Sequence, residues 1–510
     1  MSSLSKMSSD KDTTNSTTTT WSNIPLDGSS TTSNTDNGST STVVREEKVS
    51  DTRRKISNIF TILSSGFALM SDGYQSSLMT MVNVVFKRLY PSEYSADVAT
   101  RVSNALLIGA IAGQIVIGFA CDRMGRKTAI ILTTLMIIVG GSLATGAVGL
   151  TPAGMFWMMT VARGVVGFGV GGEYPASSTS ASEAANDHDA SKRGPIFIMV
   201  TNLPQSLGSP MAIAFFLVCL AVFGNDRLDV VWRTCMGFGV LLPLAIFYFR
   251  VKMLNTKMYE KSAIKGKVPY KLVLSYYWKS LIGTCGAWFL YDFVTFPNCL
   301  FSASILDEVV PKGPDGAASL MKTGLWQMLL GSFLIPGVLI GAYMCDRPGR
   351  KNTMMIGFLG YVVFGLVIGL AYDKITAILP LFVVLYGLMQ CFGNLGPGDM
   401  LGLLSSESYA TSVRGTAYGI SAAVGKSGAA VGVQVFALIQ DTLGTQATFI
   451  IVAICGLAGI LVTYFFIPNI TAEDLSVRDG KFETYLIDNG WEGKMGVPEE
   501  EKAIDALENV

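Results

Sequence analysis

The hexapeptide DRMGRK at residues 122–127 returns as DRPGRK at residues 346–351, an offset of 224, and each copy follows a long apolar stretch. One copy reads as an ordinary charged turn; two in register read as a duplicated architecture in which the same turn joins equivalent helices of each half. The residue types suit a hinge. Asp122 and Asp346 can accept hydrogen bonds from helix ends and from Arg123, Arg126, Arg347 and Arg350 in one arrangement and release them in another, while Gly125 and Gly349 permit a tight reversal. Glu183 and Glu407 repeat the 224-residue offset, and Arg193 and Arg414 follow them before the next helices. These residues are read as gate pairs on the cytoplasmic side.

Between the charged turns the chain is apolar. Half of its 510 residues are hydrophobic, 15% are charged and 54 are glycine, which together exceed what a soluble globular chain carries. A helix needs roughly 20 apolar residues to cross about 30 Å of hydrocarbon. Such runs fall near 58–84, 103–121, 129–149, 154–176, 195–223 and 231–250, and again near 278–303, 324–345, 353–371, 376–403, 413–438 and 447–467. The expected fold class is all-α integral membrane: twelve transmembrane helices in two pseudo-symmetric six-helix bundles, at 55–251 and 278–468. Beside them stand a disordered N-terminal tail at 1–54, a basic linker at 252–277 and a weakly ordered acidic C-terminal tail at 469–510.

Loops on the side of the N-terminal tail carry about twenty Lys and Arg against about eight on the other side, so both termini are expected in the cytoplasm. Arg250, Lys252 and Lys257 onward supply much of this and are read as a membrane-facing linker. Zero net charge argues against nucleic acid as a partner. Eight cysteines without a C-x-x-C pair, and a single histidine, His188, leave no disulfide framework, metal set or catalytic pair to propose. The chain is expected to be no enzyme and to use no cofactor beyond a proton gradient, with carboxylates carrying the protons.

An ionised side chain at the bilayer centre costs at least about 2.5–3.5 kcal/mol, so each one asks for a partner or a watered cavity. The spans hold Asp72, Arg163, Glu173, Asp292, Asp399 and Lys426. Asp72, in MSDGYQ, reads as a proton site or as a partner of nearby Ser and Gln. Arg163 opens RGVVGFGVGG, whose glycines allow helices to approach; it is a coupling residue or a structural partner of span one. Glu173, in a cavity hydrated from alternate sides, can load and unload a proton. Trp288, Asp292 and Phe296 share one helical face at i, i+4 and i+8, which reads as a substrate wall. Lys426 stands among small residues, cannot reach the membrane edge and requires an anion. Its segment, SAAVGKSGAA, lacks the spacing and the strand of a phosphate-binding loop, which removes an ATPase reading.

Over residues 55–470 the paired loops resemble the major facilitator superfamily. Within it, GVGGEYP at 169–175, AWFLYDF at 287–293 and SVRGTAYGISAAVGKSGA at 412–429 resemble the fungal phosphate:proton symporters. More narrowly, the chain resembles their glycerophosphodiester permeases, importers of glycerophosphoinositol or glycerophosphocholine at the plasma membrane. The resemblance implies Asp72 as the span-one proton carboxylate, Trp288 and Asp292 as substrate and coupling residues, and Tyr174 and Lys426 as phosphate contacts. Departures from the inorganic phosphate pattern are Glu173 for an Asp, Phe296 for a Tyr, Gly398 for an Asn, and Thr201 or Asn202 where a Gln is expected. Asn202, Gln205 and Asp399 complete the expected substrate set.

Two missing partners weaken the grip on a small hydrated phosphate, since a buried polar group left unpaired costs about 1–3 kcal/mol, and Gly398 is expected to open volume for a larger ester. Asp292 or Asp399 can face a choline cation or inositol hydroxyls, and Trp288 with Phe296 can hold a quaternary ammonium, so the head group stays open. The expected protein is a monomeric, proton-coupled importer of a small anionic phosphodiester in the lipid bilayer, working by alternating access. Inorganic phosphate symport is the alternative. A sugar or polyol porter would need a polar span seven rich in Gln and Asn, and GTCGAWFLYDFVTF has neither; the intact charges argue against a transport-dead receptor.

Overall fold

The computed structural model describes residues 37–253, 255–264, 266–310, 319–470 and 473–496, with side chains from Thr61 onward apart from those of Lys257 and Ala437. The chain divides into residues 1–52 and a compact unit of 53–510. The expected tail at 1–36 lies outside the described residues. What was expected as the end of that tail, from Asn37, is instead the start of a helix.

The elements in order are α1 (Asn37–Leu89), α2 (Ala96–Arg123), α3 (Arg126–Thr145), α4 (Pro152–Glu173), α5 (Thr179–Asp189), α6 (Arg193–Phe223), α7 (Leu228–Val251) and the short α8 (Lys257–Ser262). The second half follows as α9 (Tyr270–Val309), α10 (Leu320–Ser332), α11 (Leu334–Met344), α12 (Arg350–Leu370), α13 (Tyr372–Thr376), α14 (Leu379–Gly393), α15 (Asp399–Glu407), α16 (Arg414–Leu443), α17 (Thr445–Phe466) and α18 (Leu475–Asp488). Among the described residues, ten continuous helical segments are long and apolar enough to cross a bilayer, and one of them, Pro152–Phe223, holds two of the expected spans. The expected first span lies in α1.

Local chemistry explains these boundaries. Gly125 and Gly349 precede α3 and α12 at φ 98° and 89°, a backbone region that side-chain-bearing residues avoid. A Cβ at position 349 would meet no atom within 4 Å, so conformation rather than crowding requires that glycine. Thr151 caps α4 by accepting a hydrogen bond from the Gly154 N–H, with Pro152 in the first turn, where a missing N–H costs nothing. Helices α2 and α4 lie backbone to backbone: a Cβ on Gly167 or Gly171 would sit 2.1 Å from Leu106 O or 2.2 Å from Ala110 O. Such contact replaces the hydrophobic drive that is missing between helices in lipid.

Two π-helical turns interrupt equivalent places, Tyr174–Ser178 between α4 and α5 and Asn394–Gly398 between α14 and α15. Each contains a proline, Pro175 and Pro397, whose missing N–H and bulky ring disturb the α-helical ladder. The widened turns carry side chains into the middle of the protein.

Two expected surface segments are instead built into the fold. The acidic tail contains α18, whose Leu475, Phe482 and Leu486 are fully buried, the last two clustering with Tyr277 and Tyr409; its amphipathic pattern outweighs its charge. The linker is not simply membrane-facing either, because Met253, Met258, Tyr259 and Ile264 are buried. Arg250 is no linker cation: it is 1% exposed, inside the first bundle at the end of α7.

Candidate functional site: a central cavity closed by paired gates

A cavity of about 190 Å³ lies where α1, α4, α6, α9, α16 and the two π turns converge. Trp288, Asp292 and Phe296 all line it, as their shared face on α9 requires. Lys426 enters from α16 and donates to Asp292 Oδ2 at 2.8 Å, with both side chains at most 7% exposed. The ammonium also stands 4.1 Å from the Phe296 ring centroid and 5.3 Å from that of Tyr174, so two aromatic faces flank it. Tyr174 projects from the first π turn, and its hydroxyl accepts from Gln205 Nε2. Trp288 packs edge-on to Tyr418 with centroids 5.6 Å apart. It can lie this close to α16 because Gly425 has no side chain: a Cβ there would sit 2.4 Å from the indole.

Hydrogen bonds cross between the halves along one cavity wall. Asn202 Nδ2 donates to Gly398 O at 3.1 Å and to Asp399 Oδ1 at 2.9 Å. Asn394 Nδ2, from the second π turn, donates to Ser206 Oγ at 2.9 Å.

Beyond one end of this cavity the repeated charged turns assemble into two related clusters. In the first, Arg126 donates to Asp122 Oδ1 at 2.6 Å and to Glu183 Oε1 at 3.0 Å, and Arg414 from the other half reaches the same Glu183 oxygen at 3.0 Å. Asp122 also accepts from the backbone N–H groups of Gly415 and Thr416 at 3.0 and 2.6 Å, an anion at the start of α16 where the helix dipole favours it. In the second, Arg350 donates to Asp346 Oδ1 at 2.6 Å and to Glu407 Oε2 at 3.0 Å, while Arg193 from the first half lies 2.8 Å from Glu407 Oε1. Each cluster thus contains one ion pair that crosses between the halves. The clusters differ at one member: the Asp122 side chain is 5% exposed and that of Asp346 32%.

Residues 58–268 and 298–479 match the sugar (and other) transporter family. The chain belongs to that family. The transporter is 54% identical over 451 residues to glycerophosphoinositol permease 1 of Candida albicans, covering 88% of this chain and 86% of that protein. It is 50% identical over 458 residues to glycerophosphoinositol transporter 1 of Saccharomyces cerevisiae, with 89% and 88% covered, and 32% identical to a glycerophosphocholine permease of Candida albicans over 88% of this chain and 86% of that one. Among solved structures, a proton:xylose symporter superposes with a TM-score of 0.68 over 83% of this chain and 99% of that chain at 17% identity, which establishes a shared fold.

The transporter collects most of the expected substrate residues in one place: Tyr174, Asn202, Gln205, Trp288, Asp292, Phe296, Gly398 and Lys426 line the central cavity. Others stand elsewhere. Asp399 lies behind the wall, its Oδ1 accepting from Asn202. Glu173 is fully buried outside the cavity lining, held by Arg250 Nη1 at 2.7 and 2.8 Å and by Ser177 Oγ at 2.9 Å, because α4 turns it into its own bundle toward α7. Asp72 is also directed away from the cavity, although Leu69, Gly73 and Ser76 on the same helix line it. It is 1% exposed, neither of its oxygens has a hydrogen-bond partner among the described residues, and its charged neighbours are Glu173 and Arg250. Among the described residues Arg163 has no hydrogen bond or ion pair to span one; its Nε donates to Val102 O of α2 at 3.1 Å.

Gly398 does not open volume. A Cβ there would lie 2.8 Å from both Asn394 Oδ1 and Tyr291 Oη, so neighbouring polar groups fill the space of the missing side chain. Arg123 and Arg347 are exposed outside the gate clusters, with Arg347 over the Tyr343 ring at 4.1 Å. The sequence reading missed Asn394, Ser206 and Tyr418 as cavity residues. The mirrored Tyr-Pro and Asn-Leu-Gly-Pro turns at the ends of α4 and α14 were the available signal for Asn394.

Proposed function

We propose that this transporter imports glycerophosphodiesters, glycerophosphoinositol foremost, across the plasma membrane together with protons. The observation that carries the reading is the enclosed Lys426–Asp292 pair among aromatic rings, in a chain half identical to proteins named as glycerophosphoinositol permeases. A phosphodiester bears one negative charge. While Asp292 is ionised it neutralises Lys426; once protonated, it frees the ammonium for a phosphoryl oxygen, so proton and anion enter as a neutral set. That coupling avoids leaving an unpaired charge in a low-dielectric cavity.

Asp72 is the second proton carrier in this scheme. An ionised carboxylate without a donor is costly to bury, and Asp72 shares its surroundings with the Glu173–Arg250 pair; the proton-loaded acid is the form this site accommodates. Glu173 serves as the fixed anion that holds Arg250. The gate clusters form the cytoplasmic face, with both termini on that side, and their two cross-half ion pairs part when the bundles rock inward. The working unit is a monomer.

The test is uptake of labelled glycerophosphoinositol, glycerophosphocholine and inorganic phosphate at pH 5 and pH 7.5, in cells lacking their own carriers. Acid-stimulated uptake of glycerophosphoinositol that disappears in Lys426→Ala at normal surface expression supports the assignment. Asp72→Asn should abolish accumulation while retaining exchange of substrate across the membrane. Uptake confined to inorganic phosphate, or a fully active Lys426→Ala protein, overturns it.

A further inference from the structure

A second chamber of about 90 Å³ adjoins the central cavity on the side away from the gates. The two share Ser76, Ser77, Ser209 and Phe296 in their linings. Helix register gives the direction: Val433, which lines only this chamber, is seven residues beyond Lys426 on α16, about 10 Å further from the gate end at 1.5 Å per residue. Polar groups gather here in a manner that packing does not explain. Ser103 Oγ and Gln327 Oε1 line the chamber, belong to residues 5% and 6% exposed, and have no hydrogen-bond partner among the described residues.

Arg163 is the decisive member. It is 6% exposed, lines the chamber and makes one hydrogen bond among the described residues, from Nε to a backbone carbonyl. It has no ion pair there, and none of the chamber's lining residues is acidic. The contrast with Lys426 is direct: the inner cation is neutralised by Asp292 at 2.8 Å, whereas the outer one has no acid in the lining of its pocket, only hydroxyl and amide groups. A guanidinium presents a planar fork suited to two phosphoryl oxygens, and hydroxyls and a free amide oxygen are the groups that polyol hydroxyls pair with.

We infer that Arg163, with Ser103 and Gln327, forms an outer station that captures the phosphodiester anion before Lys426 is released from Asp292. The substrate then moves inward, from a cation with no ion pair among the described residues to one that becomes available on protonation. The inference rests on the phosphodiester reading for the identity of the anion, but on the geometry alone for there being two stations.

The experiment is equilibrium binding of labelled glycerophosphoinositol, and separately of inorganic phosphate, to the purified full-length protein and to Lys426→Ala, Arg163→Gln, Arg163→Lys and the Lys426→Ala/Arg163→Gln double variant. Thermal melting and detergent gel filtration identify folded samples. Two stations predict that Lys426→Ala binds with at most a tenfold loss, that the double variant loses a further tenfold or more, and that Lys426→Ala/Arg163→Lys recovers part of it. In uptake, Arg163→Gln should raise KM at least fivefold with a smaller change in kcat. Loss of all binding in folded Lys426→Ala, or equal affinities of Lys426→Ala and the double variant, overturns the outer station. If the wild-type protein binds phosphate but no glycerophosphoinositol, the substrate reading fails; the same comparison made with phosphate then decides the station by itself.

Discussion

Replacing Glu407 by glutamine isolates the cross-half contact of one gate. Glu407 is fully buried and accepts from Arg350 Nε at 3.0 Å and from Arg193 Nε at 2.9 Å. The amide removes the charge while keeping the shape. Arg350 still holds Asp346 at 2.6 Å, but Arg193 is left with neutral acceptors, Asn186 Oδ1 at 2.7 Å and Glu473 O at 2.8 Å. Removing one member of a buried ion pair costs about 3–5 kcal/mol. Taking the lower end, because Arg193 retains neutral partners, about 3 kcal/mol falls on the gate-closed state, a shift of roughly a hundredfold in the closed-to-open ratio at 1.36 kcal/mol per tenfold.

The chain carries its own reporters. Cys121 and Cys345 are 224 residues apart, fully buried in the two gates, and a Cβ on Gly415 or Gly194 would lie 2.2 or 3.1 Å from their sulfurs. In membrane vesicles with the gate face outward, Glu407→Gln should speed maleimide labelling of Cys345, in a background lacking the other cysteines, by one to two orders of magnitude, the ratio shift above. Adding Arg193→Gln should reverse much of the effect by removing the stranded cation. Unchanged labelling in a folded Glu407→Gln protein would refute the claim that this pair holds the gate shut.

The remaining predictions concern packing and the docked C-terminal helix. Gly171→Ala places a methyl 2.2 Å from Ala110 O and 2.4 Å from Ala110 Cα, so α2 and α4 must separate; the melting temperature of the purified protein should fall, and an unchanged value would contradict the backbone contact. Gly398→Ala displaces Asn394 and Tyr291 at an overpacking cost of about 1–3 kcal/mol, which should raise KM for substrate several-fold at normal surface expression. Gly480→Ala in α18 meets nothing within 4 Å and should strengthen that helix by up to about 1 kcal/mol, read as slower amide exchange over 475–488. Asp474 caps α18; the Ser476 backbone N–H, and more weakly the Asn186 and Ser476 side chains, hold its carboxyl below the usual Asp value. Its contribution is therefore present above the unfolded-state value and is lost as pH falls through the lower folded one, so the α18 protection factors, corrected for the intrinsic pH dependence of exchange, should be the same at pH 7 and pH 5.5 and fall only in stronger acid.

Much of the architecture was legible in the chain because its causes are local. Twenty-residue apolar runs must be helical in lipid, since no water satisfies the backbone there, and a glycine before each repeated R-K pair marks a turn whose φ only glycine adopts freely. The face shared by Trp288, Asp292 and Phe296 follows from helical periodicity, and that Lys426 needs an anion follows from its burial among small residues. The linker and tail were misread because charge composition was weighed above the apolar positions of α8 and α18, where Tyr259, Phe482 and Leu486 are buried.

What the tertiary structure alone decided is which charge meets which. The cost of burying Asp72, Glu173, Arg163 or Lys426 belongs to each residue and can be read one at a time. The partner depends on how helices distant in sequence are rotated and how far each is pushed along its axis. A rotation of 100° per residue means that a neighbouring position faces a different wall. So Glu173 met Arg250 rather than the cavity, Asp399 fell behind Asn202, and Lys426 found Asp292. Arg163 alone among these cations faced a chamber with no acid in its lining, a vacancy that no spacing in the sequence could have announced.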